Sequence, residues 1–582
     1  MKKLIEKLFS YQGIRFLFVG GLNTIVGYGV YALLIYLNVN YLLANTISTA
    51  IGIAHSYLWN RFFTFKSKDK ALGEITKFVS VYFSSYLIGM LTLYIFKSKL
   101  NISPYIAGLI NLVITTLISY FGHKYISFRK HDINLKEYFM DMKKPKRIEW
   151  ILLISFFVIS FLLFEFSDLE CTTTNGIHFI DLLFKGKVYS LYEVAYHGGT
   201  MITYDFPIFI IFGIWDIPLW IYQNITGKFW VDSTFGIFYA KAIIIPFLIG
   251  SLYYLKKIAK LYFDDENDVK LLKFLFLSSP LLLMVICEFA GYDILSIFFV
   301  LAGIYYYLKG DTKKFILFFS ISITLKLFAL FIFIPLVILK EKNIIKAGIS
   351  MGLGVIPFLI SKALFMNAPY YKESMTAFDD RMFDRLLYAK IPSEFGGISI
   401  FITLFVIICI ISYMIKKEDF KKYTMIIPFM VYSLFEITVL QHPQWFILNV
   451  PYISFLILFN KRYINLKLIL DIVYEYACLI ICFISFPHVY TPQIMNHMLI
   501  GQLTHHICNF RFAGFIEVHN LRYFLPILNS VAVASVVALL YLVVTKNDKL
   551  HDDKQISRGL IWIRVLGMVP FFGIIVLTFF IR

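Results

Sequence analysis

Charge is what this chain has least of. Only 16% of its 582 residues are charged, while 59% are hydrophobic, and the mean hydropathy is +0.73. No soluble domain needs that much apolar surface, so the composition excludes a soluble globular protein and requires many membrane spans. Cysteine is sparse too. The six cysteines form no Cys-x-x-Cys pair, which leaves no redox or zinc motif of that kind. Cys287, Cys409, Cys478 and Cys482 fall in or beside apolar runs and are expected in the core. Cys171 and Cys508 fall in loops expected outside, where a disulfide could form. The N-terminus lacks a cleavable signal pattern, because the first apolar run is long enough to span and has no small-residue cleavage site. No His/Asp spacing is diagnostic of a metal, so no cofactor is expected. A divalent ion, if used, would draw on Asp168, Glu170 and Asp293.

What is plentiful is lysine and arginine, 55 against 37 acidic residues, for a formal charge of +18. In a soluble protein that balance would point to nucleic acid. Here it reads as cations flanking the cytoplasmic ends of spans, and no nucleic-acid partner is expected.

The first 130 residues form one unit. Apolar runs lie near 14–37, 41–63, 75–97 and 104–127. Lys2, Lys3 and Lys7 precede the first and Arg129 and Lys130 follow the fourth, which places both ends of a four-helix domain in the cytoplasm. The unit repeats internally. Tyr57-Leu-Trp-Asn-Arg-Phe-Phe-Thr-Phe65 aligns with Tyr120-Phe-Gly-His-Lys-Tyr-Ile-Ser-Phe128, with Arg61 on Lys124 and Thr64 on Ser127. Two hairpins of one orientation are a common transporter construction. Arg61 and Lys124 are either snorkelling anchors or a cradle for a lipid phosphate. Residues 131–148 carry Lys136, Lys143, Lys144, Lys146 and Arg147 and read as a basic cytoplasmic linker.

The segments Arg15–Thr24, Ala44-Asn45 and Tyr57–Phe65 resemble the GtrA family over roughly 12–130. That resemblance implies a bundle that handles polyprenyl-phosphate-linked sugars in a bacterial cytoplasmic membrane, with Asn23, Asn60, Arg61 and Lys124 as lipid-binding candidates. Any oligomer contact is expected through this domain. The second repeat places His123-Lys124 where the first has Asn60-Arg61, so the halves need not act alike.

From 149 on, a helix near 149–166 leaves the cytoplasm and puts Asp168 and Glu170 at its exit, at the head of a long polar loop ending in Tyr204-Asp205-Phe206-Pro207. The stretch 205–222 is read as an interfacial or partly inserted helix, since a full crossing would put Lys256, Lys257 and Lys260 outside. Helices follow near 233–255, 269–287 and 294–308. The segment 313–342 is basic at both ends and holds Lys326 at its middle. A single crossing would bury Lys326 at the bilayer centre and invert the charge rule for every later loop. Two short helices meeting at Lys326 remove both conflicts, and irregular backbone at that depth implies a polar cavity. Further helices are expected near 343–365, 398–415, 423–439, 444–460, 466–486, 522–545 and 562–581. The fold class is therefore an all-α polytopic membrane protein, a four-helix domain followed by about 11 spans, a broken or re-entrant pair and large outer loops. The domain boundaries are 1–130, 131–148 and 149–582.

Ser167-Asp168, Tyr204–Pro207, Gly291-Tyr292-Asp293, Thr324–Phe328 and His442-Pro443-Gln444-Trp445, in that order, resemble the GT-C superfamily of integral membrane glycosyltransferases. The resemblance implies an enzyme at the outer face that takes a sugar from a polyprenyl-phosphate donor to a cell-envelope glycan, lipid or protein. It implies Asp168 as base with Glu170 second, and Lys326, Arg381, Arg385 and His442 at the donor phosphate. Tyr204, Asp205, Asp293 and Gln444 would bind substrate. Relatives often carry a fuller Tyr-Pro-Pro motif where this chain has Asp205-Phe206-Pro207. A transporter that only gates lipid passage, or a ligase moving whole glycans, remains the alternative on the residues alone.

Overall fold

The computed structural model describes residues 12–36, 41–65, 67, 75, 77–85, 88, 114–128, 141–163, 169–200, 202, 204–394, 396–439, 442–486, 509–545 and 555–577. It divides into two units, Met1–Phe139 and Met140–Arg582. Of the two cysteines expected in outer loops, Cys171 lies in a helix and Cys508 lies outside the described residues.

In the first unit, α1 (Gln12–Tyr36) packs along α2 (Tyr41–Trp59). Two further helical stretches follow, α3 (77–85) and α4 (114–122). The sequence repeat has a structural counterpart. α2 ends in a π turn at Asn60–Thr64 and α4 in a π turn at His123–Ser127. Each is closed by a bond to a carbonyl five residues back, Phe65 N to Asn60 O and Phe128 N to His123 O, both at 2.8 Å. The two closing phenylalanines stack at 4.7 Å.

Among the described residues the second unit is mainly helical. α5 (Arg147–Leu163) is followed by α6 (Leu169–Phe184) and α7 (Leu191–His197). This corrects the expected polar loop at 167–204. α6 is buried over most of its surface, including Leu169, Thr172, Thr173, Asn175, Ile177, Phe179 and Ile180, and its threonines and asparagine gave it a polar look. α8 (Pro207–Thr226) packs along α6. The expected span 233–255 is two pieces, α9 (Thr234–Lys241) and α10 (Ile244–Tyr262). Next come α11 (Glu266–Leu277), α12 (Pro280–Cys287) and α13 (Asp293–Leu308). Then follow α14 (Thr312–Leu325), α15 (Phe328–Lys340) and α16 (Ile344–Phe365). The expected loop at 366–397 contains α17 (Tyr371–Leu386) and a short hairpin of Lys390–Ile391 with Ile398–Ser399. The rest are α18 (Ile400–Met414), α19 (Phe420–Thr438), α20 (Val450–Leu458) and α21 (Ile464–Ser485). α22 (Phe512–Val518), α23 (Leu525–Val544), α24 (Arg558–Leu566) and α25 (Met568–Leu577) complete it. Among the described residues five helices are long and apolar enough to cross a membrane, and seven if the bent pairs α11/α12 and α18/α19 count as one span each.

Two polar networks hold the late helices to the early ones. Arg564 on α24 is fully buried and meets Asp471 at 2.9 Å and Glu475 at 2.6 Å, both on α21. It also donates to Ser278 Oγ at 2.9 Å, and Glu475 accepts from Ser279 Oγ at 2.7 Å and Leu281 N at 3.1 Å at the α11/α12 bend. An arginine can be buried this way because two carboxylates offset its charge. The second network starts in the expected linker. Asp141–Met142 pairs antiparallel with Ile556–Ser557, and Glu149 meets Arg558 at 2.7 Å. Residues 141–148 thus belong to the second unit.

The expected break at Lys326 is present, and its geometry is a hairpin. Lys326 is extended (φ −148°, ψ 115°) between α14 and α15. At the far ends, Lys340 Nζ donates to Thr312 Oγ1 at 3.3 Å, and midway Phe319 faces Phe333 at 5.3 Å. A continuous helix over the same residues would separate Thr312 and Lys340 by about 40 Å. Single cysteines placed at 312 and at 340 are therefore expected to react with an impermeant maleimide from the same side of sealed vesicles. Labelling from opposite sides would refute the hairpin.

Candidate active site

The apex of that hairpin is the centre of the site. Lys326 ends α14, and Asp293 opens the neighbouring α13. Each charge lies at the helix end that favours it, the cation at a C-terminus and the carboxylate at an N-terminus. Their atoms meet at 3.1 Å, with 6% and 0% of the side chains exposed. The Lys326 ammonium lies 4.3 Å from the Tyr292 ring centroid and 4.8 Å from that of Tyr204. One turn away the same helices are tied by Ser296 and Ser322, whose hydroxyls stand 2.8 Å apart. A buried lysine is costly alone, and here a carboxylate and two aromatic faces offset the lost hydration. The lysine proposed for phosphate is thus already matched by Asp293.

Tyr204 and Asp205 are held by the chain that precedes them and by α17. Tyr192 on α7 donates to Tyr204 O at 2.9 Å. Tyr371, the first residue of α17, donates to Asp205 Oδ1 at 3.0 Å, and the Tyr192 and Tyr371 rings meet edge to face at 4.9 Å. Pro207 then starts α8, a position where its missing N–H costs nothing.

A second cluster lies beside the first. Arg385 near the end of α17 donates from Nη2 to His442 Nε2 at 3.1 Å. A guanidinium can only donate, so in this contact the imidazole nitrogen is the acceptor. Arg385 also lies over the Trp445 ring at 5.3 Å, and Trp445 packs on Phe328 at 4.5 Å, two residues past Lys326. Gln444 lies against Gly291. A Cβ there would stand 3.2 Å from Gln444 Cβ and 2.5 Å from Val285, so only glycine lets the 443–449 turn approach α13. Of the sequence candidates, Tyr204, Asp293 and Lys326 share one cluster, Arg385 and His442 the next, and Asp205 and Gln444 flank them. Asp168 lies outside the described residues, as do the side chains of Glu170 and Arg381, which fall in α6 and α17.

Lys241 was missed. It ends α9 fully buried, donating to Phe161 O at 2.7 Å and Cys287 O at 2.6 Å. These are carbonyls at the C-terminal ends of α5 and α12, groups that have no partner within their own helix. One ammonium thus anchors the ends of both helices whose following segments carry Asp168 and Asp293. Its signal was available, since a lysine inside an apolar run is the same anomaly that exposed Lys326. Tyr371 was missed as well, and nothing in its spacing marks it, while Tyr292 stood inside the Gly291-Tyr292-Asp293 motif without being given a role.

In the first unit Asn60 is buried and donates to Ser56 O at 2.9 Å. Its repeat partner His123 is buried against Ser127 Oγ at 3.0 Å and stacks on Phe78 at 4.2 Å. Ser56 and Tyr82 share a 2.7 Å bond beside them. Arg61 and Lys124 are half-buried and occupy equivalent places over tyrosines, Tyr57 at 5.9 Å and Tyr120 at 5.6 Å. Asn23 on α1 faces Gly52 of α2, where a Cβ would stand 3.6 Å from its Oδ1.

These features define a polytopic all-α membrane protein with a repeated bundle at its N-terminus. Residues 15–128 match the family described as GtrA/DPMS, transmembrane domain. The chain is 42% identical over 85 residues to the uncharacterized membrane protein YngA of Bacillus subtilis, covering 14% of this chain and 57% of that protein. It is 29% identical over 122 residues to the cell wall teichoic acid glycosylation protein GtcA of Listeria monocytogenes, 20% of this chain and 83% of that one. The corresponding protein of Listeria innocua is 27% identical over 140 residues, 22% and 96% of the two chains. No solved structure matches.

The buried pair makes a stability prediction. Asp293→Asn leaves Lys326 uncompensated and is expected to destabilise by about 3–5 kcal/mol, read as a lowered Tm in detergent. Asp293→Asn with Lys326→Met is expected to recover most of that loss. Equal Tm values for the single and double variants would show that the two charges are not coupled.

Proposed function

We propose that this chain joins a domain that presents or flips a lipid-linked sugar to a membrane glycosyltransferase. The transferase moves the sugar from a polyprenyl-phosphate donor to a cell-envelope acceptor at the outer face of the bacterial or archaeal cytoplasmic membrane. The observation that carries the reading is the apex at Lys326. A cation, a carboxylate and two tyrosines converge at a helix break, and the Arg385–His442 pair is its neighbour. The match at 15–128 and the teichoic acid glycosylation proteins it aligns with support the first half.

The chemistry follows from charge. A base takes the proton of the acceptor hydroxyl, whose oxygen attacks the anomeric carbon while the bond to phosphate breaks and polyprenyl phosphate leaves. Asp168 is assigned as base, with Glu170 second. Arg385 carries the positive charge of its pair and suits a phosphate bidentately. Lys326 sits two residues from Phe328, which touches Trp445 under Arg385, and the two cations together oppose the charge growing on the leaving group. Asp293 keeps Lys326 in place between turnovers. Lys241 anchors the helix end before Asp168. Asn60, Arg61, His123 and Lys124 would hold the lipid-linked headgroup in the first domain.

The second reading is a lipid-linked sugar flippase without transfer, favoured by the family match ending at residue 128. A third is a ligase or polymerase acting on polyprenyl-diphosphate glycans.

The test is transfer by the purified chain in detergent from a polyprenyl-phosphate sugar to crude membrane acceptors. Wild type should transfer one sugar, and Asp168→Asn should be slower by about 10²–10⁴-fold. Equal rates would remove Asp168 as base. Absence of transfer with several sugars would favour the flippase, and products gaining whole glycans would favour the ligase.

A further inference from the structure

Beside Asp205 the chain places two consecutive tyrosines in opposite directions. Tyr371 points inward to Asp205 and Tyr192 and is 7% exposed. Tyr370, one residue earlier, sits in the left-handed region at φ 60°. A bulky residue rarely adopts that conformation, and such strain persists only where the surroundings over-determine it. Here it swings the Tyr370 ring onto the end of α7. The ring stacks on Tyr196 at 4.5 Å with an interplanar angle of 21°, and His197 meets it edge-on at 4.9 Å. Tyr196 is 42% exposed and His197 is exposed. Tyr189 stands open on the neighbouring turn, stacked on Phe365 at 5.9 Å. The exposed residues flanking Tyr370 include the polar Asn367, Lys372 and Glu373 beside Met366 and Pro369. A cluster of open ring faces with a polar rim suits a ligand that has an apolar face and a hydrogen-bonding edge. A sugar ring has both. Tyrosine supplies such a surface with few side-chain torsions to freeze.

We propose that Tyr196, Tyr370 and His197 form a carbohydrate platform that holds the acceptor glycan at the mouth of the site. Its connection to the chemistry is one residue long. Tyr370 leads to Tyr371, Tyr371 bonds Asp205, and Tyr204 covers Lys326. The platform is thus tied through the buried Tyr371–Asp205 contact to the residues around the apex. The identity of the bound glycan as acceptor rests on the transferase reading, while the platform itself does not.

The test uses the full chain in lipid nanodiscs and saturation-transfer NMR with four soluble probes, chitotetraose, cellotetraose, maltotetraose and mannotetraose. Wild type is expected to bind at least one. Tyr370→Gly removes the ring and relaxes the left-handed backbone, so it keeps the fold, and it should weaken binding at least ten-fold. Tyr196→Ala should do the same. Tyr196→Phe and Tyr370→Phe should bind like wild type, because the ring faces make the contact. Binding of none of the probes, or full binding by Tyr370→Gly, would overturn the platform. So would a fluorophore on Tyr196→Cys that is quenched by brominated lipid and not by aqueous iodide, since the rings would then be bilayer anchors. The readout needs no donor and no turnover. Glycan binding without transfer sinks the transferase reading and keeps the platform, and transfer without binding does the reverse.

Discussion

The contact between Lys326 and Asp293 is the constraint around which the second unit is arranged. A lysine in an apolar hairpin has to be neutralised or matched, and the nearest helix offers a carboxylate at its first residue. To bring the two together, α14 must stop at Lys326 and α13 must start at Asp293. Both helices then present their ends at the same level. Everything later recruited to the place follows from those ends. Tyr204 covers the ammonium, and Phe328 on the returning leg packs on Trp445, over which Arg385 lies.

The same logic is repeated away from the apex. Lys241 ends a helix and donates to the ends of two others. Arg564 brings the last described helices against α21 and the bend between α11 and α12. In each case a charge inside an apolar run is matched by carbonyls near helix C-termini or by carboxylates on a neighbouring helix. The C-terminal helices, which no motif reaches, are therefore fastened into the core by a buried arginine paired with two carboxylates.

How much of this could be read beforehand depends on the type of signal. The helix break at Lys326 was legible because a lysine in mid-run collided with the distribution of cations at both ends. Lys241 and Arg564 are anomalies of the same type, but they broke no charge rule, so the runs containing them read as ordinary spans. The helices α6 and α17 read as loops because α6 turns threonines inward and α17 is strongly charged. The pairing of Lys326 with Asp293, and of Tyr371 with Asp205, depends on tertiary contacts 33 and 166 residues apart, which no local pattern encodes. The repeat in the first unit was visible as aligned residues. That both copies widen into a π turn at the same place was not, because a π turn has no composition of its own.

That shared π turn bears on the history of the chain. A π turn holds one residue more than the α turn it replaces, so it preserves a one-residue insertion. Both hairpins carry it at the same point of the repeat, closed by the same phenylalanine. The simplest ancestry is a single hairpin that acquired the extra residue first and was duplicated afterwards, with asparagine and histidine diverging later at the position that opens the turn.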